Sequence, residues 1–296
     1  MGRFIERMPG TAAVLIAAVL WSLSPFLVKL VTIDPMVLPC FRNLMAGVIL
    51  LPFFKRSDIK AGPRLFILLP SFACISMLYV LSSRYTAAAN ATALYYSSPL
   101  WIFALTCIKA KKLNRRYIPS VLLLLAGILV IVIEPKTGTN QFGNFMGLLA
   151  GAAFACFAVN YNAIPYEKRI SHLCLANLFS CPFILAVILI LQPASLSEAR
   201  SFTAYIWLML LVMAVSQQVI PYFLYGVGLT KLPLFRCSML ALGEFLLAPV
   251  WTLLFLSDMP TLFGFIGWLL ILAGLLLNLF LDNQAEKMSV PDGAGE

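Results

Sequence analysis

The sequence has little charge and no hydrophilic stretch long enough to form a separate soluble domain. Asp, Glu, Lys and Arg make up 11% of its 296 residues, whereas 61% are hydrophobic, and the mean hydropathy is +0.94. A water-soluble domain of this size needs a more polar surface. The composition therefore predicts an all-α polytopic membrane protein and leaves no room for a soluble catalytic domain.

Residues typical of catalysis or metal binding are also scarce. The single histidine, His172, is interpreted as a solvated loop residue, and the seven cysteines form no CxxC motif. Intramembrane proteases need a Ser-His pair or two mid-membrane aspartates, and metalloenzymes need clustered His and carboxylates. We therefore expect no enzyme activity, no cofactor and no metal site, and we interpret the cysteines as packing thiols.

Apolar segments of about 20 residues, the length that crosses a bilayer as a helix, follow one another along the chain. The predicted spans are 11–31, 35–54, 65–83, 87–108, 117–133, 145–163, 172–191, 205–229, 233–256 and 262–281. The sequence thus predicts ten transmembrane helices joined by short loops.

The net charge of +9 comes mainly from Lys and Arg residues in the loops on one side of the membrane. With the amino terminus in the cytoplasm, sixteen of the 21 Lys and Arg residues lie on the cytoplasmic side, four lie outside, and Arg42 lies within a span. Cytoplasmic loops of membrane proteins carry such an excess. We expect both termini to lie in the cytoplasm, a bacterial inner (plasma) membrane as the environment, and no binding to nucleic acid.

Two charged residues, Glu244 and Arg42, lie inside predicted spans and away from the span ends. Glu244 is near the middle of span 9, where a charge costs about 2.5 to 3.5 kcal/mol and usually faces protein or a water-filled cavity. It is either a functional site or a structural residue that fixes helix packing. Arg42, about two turns into span 2, is either a structural anchor or a site for a substrate anion. The two residues would form an ion pair if their helices met.

Two local patterns predict features of the backbone. Pro25 removes a hydrogen bond in the second half of span 1 and predicts a kink there. Gly143, Gly147 and Gly151 follow one another at four-residue spacing at the start of span 6. Such a ridge of small residues lets a neighbouring helix approach closely.

Spans 4 and 5 align with spans 9 and 10 at an offset of 146, so that Ser98 corresponds to Glu244. Because five helices are an odd number, the second copy enters the membrane from the opposite side. Inverted repeats are typical of secondary transporters, whose site lies near the midplane at the repeat interface. The predicted domains are a first repeat (1–134), a connecting loop (135–144), a second repeat (145–282) and a cytoplasmic polar tail (283–296).

Segments through most of the chain resemble the EamA-like family of the drug/metabolite transporter superfamily. They read AAVLWSLSPFLVKL, FRNLMAGVILLP, SRYTAAANATALYYSSPLW and LPLFRCSMLALGEFLLAPVWTLLFLSDMPT. Phe245 stands where the family often has proline after the span 9 glutamate. The resemblance implies two five-helix repeats and a cavity lined by spans 1, 3, 4, 6, 8 and 9. Polar residues on these spans give the candidate substrate-binding set: Tyr79, Tyr95, Ser98, Asn160, Gln218, Tyr222 and Glu244.

The resemblance also implies a secondary transporter of a small metabolite. Export of an amino acid or an amino-acid-derived compound is the first expectation, and uptake or exchange of a nucleotide-like metabolite and a non-transporting membrane subunit are the alternatives. Protons as the coupling ion are a further hypothesis. Desolvation favours the neutral form of an acid, and a bound cation favours the charged form, so that cargo and proton would compete for Glu244.

Overall fold

The computed structural model describes residues 8–111, 115–133, 141–256 and 261–289. Within these ranges all regular structure is helical and no strand occurs, which confirms an all-α protein. Residues 135–140 of the expected connecting loop and residues 290–296 of the expected tail lie outside the described ranges.

The first half of the chain contains helices whose order follows the predicted spans. They are α1 (Gly10–Ser22), α2 (Ser24–Leu30), α3 (Val37–Leu50), α4 (Pro63–Tyr85), α5 (Ala88–Tyr95), α6 (Ser98–Ala110) and α7 (Ile118–Ile133). Short 3-10 turns at Leu51–Phe53, Arg56–Asp58 and Arg115–Tyr117 lie in the connections.

The second half is similarly built. It contains α8 (Gln141–Asn162), α9 (Tyr166–Leu191), a 3-10 segment (Pro193–Ser201), α10 (Ala204–Met213), a π-helix (Ala214–Val219), α11 (Ile220–Lys231), α12 (Leu234–Leu240), α13 (Leu242–Leu256) and α14 (Leu262–Ser289). Helices from the two halves pack together, with α4 against α8, α14 against α7, α9 against α3 and α11 against α1.

Among the described residues, six helical stretches are long and apolar enough to cross a membrane. They are Gly10–Leu30, Pro63–Tyr85, Arg115–Ile133, Gln141–Asn162, Tyr166–Leu191 and Ala204–Lys231. Val37–Phe53 and Leu262–Leu277 are shorter apolar helices. This pattern confirms a polytopic membrane protein.

Three helix breaks interrupt the expected spans. The break at Leu23 precedes Pro25, as predicted, and the break after Tyr95 precedes Pro99, because each proline withdraws a hydrogen bond from the preceding turn. The third break, at Ala241, has no proline beside it. There the Glu244 N–H donates to the Ala241 carbonyl at 3.0 Å, so the chain bends next to Glu244 although Phe245 replaces the family's proline.

The glycine ridge of α8 faces α4 and α5. A Cβ atom at Gly143 would lie 2.9 Å from the backbone nitrogen of Thr86, and one at Gly151 would lie 2.7 Å from the carbonyl oxygen of Tyr95. At Gly147 it would lie 3.0 Å from a side-chain carbon of Leu94. These approaches confirm the close packing predicted from the four-residue spacing.

The start of α9 corrects the predicted loop before span 7. The helix begins at Tyr166, directly after Pro165, so that Arg169 and His172 lie inside it and are buried. Arg169 donates to the carbonyl oxygens of Ile164, Asn162 and Gly226. The interpretation of His172 as a solvated loop residue is therefore wrong, because this polar first turn packs against the protein instead of leaving it.

The last helix also exceeds its predicted length. Span 10 was expected to end at Leu281, whereas α14 continues to Ser289. The added stretch, DNQAEKMS, contains Gln, Ala, Glu, Lys and Met, which favour a helix even where no apolar face holds them. The first part of the expected tail is thus helical.

Candidate substrate-binding cavity

A small cavity lies in the interior, where helices from both halves converge. Its volume is about 30 Å³, which is enough for one or two water molecules and too small for a metabolite. The structure therefore shows the cavity in a closed conformation. The lining residues are Trp21, Ser24, Arg42, Ile75, Ser76, Tyr79, Tyr95, Gln217, Gln218, Tyr222 and Glu244.

Glu244 is 3% exposed and lies near the start of α13. Two phenols bind its carboxylate: the Tyr79 hydroxyl lies 3.2 Å from Oε1, and the Tyr96 hydroxyl lies 2.9 Å from Oε2. Burying a carboxylate is tolerable only when hydrogen bonds replace its water. The two tyrosines supply these bonds.

The hydroxyl of Tyr96 also contacts the carbonyl oxygen of Ala241, which the helix break leaves accessible. A phenol has one proton to donate and can also accept. When Glu244 is ionised, the hydroxyl can donate to Oε2. When Glu244 is protonated, its own O–H can donate to the Tyr96 oxygen while Tyr96 donates to Ala241. The same arrangement of heavy atoms therefore satisfies both protonation states of the carboxyl group.

Arg42 occupies another wall of the cavity and is 3% exposed. Its Nη2 donates to the Ser76 hydroxyl at 2.7 Å. The amide orientation of Gln218 that satisfies both residues places the side-chain oxygen 3.2 Å from Nε and 2.9 Å from Nη2 of Arg42. Neutral oxygens thus hold the guanidinium, and its positive charge is not cancelled by these partners.

No ion pair joins Arg42 to Glu244 within the described part of the chain, where the partners of each are neutral groups. One basic and one acidic side chain are thus buried around one cavity, each with 3% exposure. In so apolar a setting, Coulomb interactions with a ligand are much stronger than in water.

Aromatic rings pack beside the cavity, around the lining residue Tyr222. We use the term aromatic layer for Phe72, Phe157, Tyr161 and Tyr222. The ring centroids of Phe72 and Phe157 are 5.4 Å apart, those of Phe72 and Tyr222 are 5.0 Å apart, and those of Phe157 and Tyr161 are 4.9 Å apart. All four residues are buried, so the layer is a packed cluster of rings in the interior.

The structure brings together most of the predicted site. Tyr79, Tyr95, Gln218, Tyr222 and Glu244 line the cavity, as does Arg42.

Ser98 and Asn160 do not line this cavity. Ser98 is buried at the start of α6, and the Asn160 side chain donates to the Cys156 carbonyl of its own helix at 2.7 Å.

The set of lining helices also needs correction. The described lining residues include Arg42 from span 2 and none from span 6. The glycine ridge packs the first half of α8 against α4 and α5, and the second half of α8 contributes Phe157 and Tyr161 to the aromatic layer behind Tyr222. The α8 ring Phe154 instead packs behind Tyr95, at a centroid distance of 5.4 Å.

Sequence reasoning missed several residues of the site. Ser76 lies three residues before Tyr79 and hence on the same helix face, which is a signal that was available. Tyr96 could not be chosen over Tyr95 from periodicity, because the helix breaks at this point. The other residues missed are Trp21, Ser24, Ile75 and Gln217.

Comparisons with known proteins agree with this architecture. Residues 8–133 match the model of the EamA-like transporter family. An uncharacterized transporter of Archaeoglobus fulgidus is 24% identical over 274 residues, which are 90% of this chain and 95% of that protein. A crystal structure with 14% sequence identity superimposes with a TM-score of 0.65 and covers 94% of this chain and 98% of its own; it supports the fold alone.

These matches confirm the resemblance to the EamA-like family of the drug/metabolite transporter superfamily. The apolar helices and these matches support an integral membrane protein, and the matched family and the matched relative are both described as transporters. Members of this family are transporters and not enzymes.

Proposed function

We propose that this chain is a secondary transporter that exports an amino acid or an amino-acid-derived compound across the bacterial inner membrane. In this proposal the ten helices form two inverted five-helix repeats, residues 1–134 and 145–282, with both termini in the cytoplasm. The observation that carries it is the pair of buried, oppositely charged residues, Arg42 and Glu244, which line one cavity without an ion pair between them.

A zwitterion suits this pair. A cargo carboxylate would receive charge-assisted hydrogen bonds from the Arg42 guanidinium, and a cargo ammonium would donate to the Glu244 carboxylate. A dianionic nucleotide would face Glu244 as a like charge, which favours the amino-acid class over the nucleotide-like alternative. The rings of Tyr95 and Tyr222 would cover the remaining apolar part of the cargo.

The closed cavity is also consistent with a carrier. A cavity of about 30 Å³ can receive cargo only after its helices move apart. The breaks at Leu23, between α5 and α6, and at Ala241 lie beside cavity residues and provide places where helix halves can tilt.

Proton coupling would act through Glu244. Because Tyr96 can either donate to the carboxylate or accept from the protonated acid, loss and gain of a proton need no rearrangement of the surrounding helices. An ammonium group of the cargo would favour the ionised form and release the proton. Cargo and proton would therefore exchange at one site.

The direct test is counterflow of labelled amino acids and nucleotides in proteoliposomes containing the purified protein. We expect counterflow of an amino acid that Arg42→Gln and Glu244→Gln weaken at least tenfold. Glu167→Gln, the same chemical change at an exposed position, serves as the control. Counterflow of nucleotides alone would replace the amino-acid assignment, and no counterflow of any compound would favour the non-transporting subunit.

The topology has its own test. A reporter that is active only in the periplasm should be silent when fused to the carboxy terminus, because the positive residues place that end in the cytoplasm. An active fusion would refute the proposed even number of spans.

A further inference from the structure

A second and larger cavity lies away from the central one. Its volume is about 480 Å³, within the range of pockets that hold small metabolites. The connection before α4 and the turn between α8 and α9 form its walls. We call it the inner pocket and define it by Asp58, Lys60, Arg64, Leu68, Lys168 and His172. Its loops are those that the positive residues assign to the cytoplasm.

The inner pocket is electropositive. Lys60, Arg64 and Lys168 supply three positive charges, whereas Asp58 supplies one negative charge. The Asp58 carboxylate already accepts a hydrogen bond from the Ser171 hydroxyl at 2.6 Å. The excess of positive charge favours an anionic ligand.

Two helix N-termini add to the positive electrostatic potential of the inner pocket. Helix α4 starts at Pro63, which lines the pocket, and α9 starts at Tyr166, next to the lining residue Pro165. No side chain caps either helix by a hydrogen bond. Pro63 has no N–H, and the N–H groups of Leu65 and Lys168 donate to the carbonyls of Gly62 and Pro165, so the helices favour an anion mainly through the partial positive charge of their N-termini. Glu167 in the first turn of α9 opposes part of this effect, and it is not among the lining residues.

His172 adds a buried polar side chain to the wall of the pocket. The residue is 8% exposed, and its Nδ1 lies 2.8 Å from the Lys168 carbonyl oxygen. A carbonyl only accepts, so Nδ1 carries a proton. The ring lines the pocket. With the proton on Nδ1, Nε2 is an acceptor that can receive a hydrogen bond from a hydroxyl or amine of a ligand.

The position of the inner pocket relates it to the central cavity. Along α4, Leu68 lines the inner pocket and Ile75 lines the central cavity; seven residues correspond to about 10 Å of helix. Along α4, Phe72 of the aromatic layer thus lies between the lining residues of the two cavities.

We propose that the inner pocket is a separate binding site for the carboxylate or phosphate group of a small soluble metabolite. Its role as a loading site for cargo, before the aromatic layer opens, rests on the proposed transport function. The binding itself does not depend on that function and can be measured alone.

The test uses radiolabelled inorganic phosphate and the purified full-length chain in phosphatidylcholine nanodiscs at constant ionic strength. We expect saturable binding that the double variant Arg64→Gln/Lys168→Gln weakens by on the order of tenfold or more, since it loses charge-assisted hydrogen bonds. The matched control is Lys55→Gln/Arg56→Gln, which removes two charges from neighbouring exposed positions that do not line the pocket. It should bind phosphate as the unmodified protein does.

Three results would overturn the proposal. Equal loss in both double variants would show a general surface-charge effect. Loss of binding in Arg42→Gln would place the phosphate in the central cavity. Competition by phosphatidylglycerol in the nanodisc would show that the pocket binds a lipid headgroup and not a soluble metabolite. If counterflow fails but saturable, pocket-dependent phosphate binding persists, only the transport function is refuted.

Discussion

Replacement of Glu244 by Gln tests the central cavity most directly, because the structure predicts that the protein will tolerate it. The amide oxygen can still accept from Tyr79, and the amide nitrogen can donate to the Tyr96 oxygen while Tyr96 donates to the Ala241 carbonyl. Each buried group keeps a partner. We therefore expect a loss of stability below about 1 kcal/mol.

Larger losses are expected when this hydrogen-bond arrangement is broken. Glu244→Ala leaves a void and removes the carboxylate acceptor of Tyr79, whereas Tyr96 can still donate to Ala241, at a cost of about 2 to 4 kcal/mol. Adding Tyr96→Phe to Glu244→Gln deprives the amide nitrogen of its acceptor and should cost a further 1 to 3 kcal/mol or so. Thermal unfolding in detergent, with and without cargo, measures these differences.

Transport should respond differently from stability. Glu244→Gln, the variant with the smallest expected loss of stability, should have a large effect on transport. Glu244→Gln mimics the protonated acid, so it should retain the fold, lose at least tenfold in proton-driven accumulation of cargo, and show a flattened dependence on pH. Proteoliposomes with an imposed pH gradient provide the assay. A stable Gln variant that accumulates cargo with an unchanged pH profile would show that Glu244 is structural.

Three further predictions concern packing and access. Gly151→Ala should destabilise the protein by about 1 to 3 kcal/mol, because its Cβ would meet backbone at 2.7 Å, whereas Gly62→Ala, with open space around it, should be neutral; equal melting temperatures would contradict the packing argument. Arg169→Gln removes the donor to three carbonyl groups and should cost about 3 kcal/mol, which Arg169→Lys should only partly restore; an unchanged melting temperature would refute this. In a cysteine-free background, cargo should protect Gln218→Cys from a water-soluble thiol reagent and should not protect Asn160→Cys. Equal protection of both variants would contradict the assignment of Gln218, and not Asn160, to the cavity lining.

The sequence predicted the features that depend on local chemistry. Apolar length located the helices, the glycine spacing located the close contact of α8, and the cost of a charge in the membrane singled out Glu244 and Arg42. These signals arise within one segment and need no knowledge of its neighbours.

The features that it missed depend on how segments meet. Asn160 looks as suitable as Gln218 in the sequence, and only the way the helices pack decides that it does not line the cavity. Tyr96 contributes because the chain breaks beside it and brings the hydroxyl to Ala241, a carbonyl far away in sequence. The inner pocket escaped prediction for the same reason, since its walls come from loops in different halves.

The π-helix at Ala214–Val219 has a consequence for how the cavity changes its lining. A π turn holds one residue more than an α turn, because its hydrogen bonds join residues five apart. If this surplus residue moved by one position along the chain, the side chains that it passes would rotate by about 100° relative to the rest of the helix. Gln217 and Gln218 lie in this turn, and Tyr222 follows it. The relocation of a single residue would therefore turn a polar side chain such as Gln217 or Gln218 away from the cavity while the helix remains continuous. A bound solute would lose that hydrogen-bond partner without any helix being unwound.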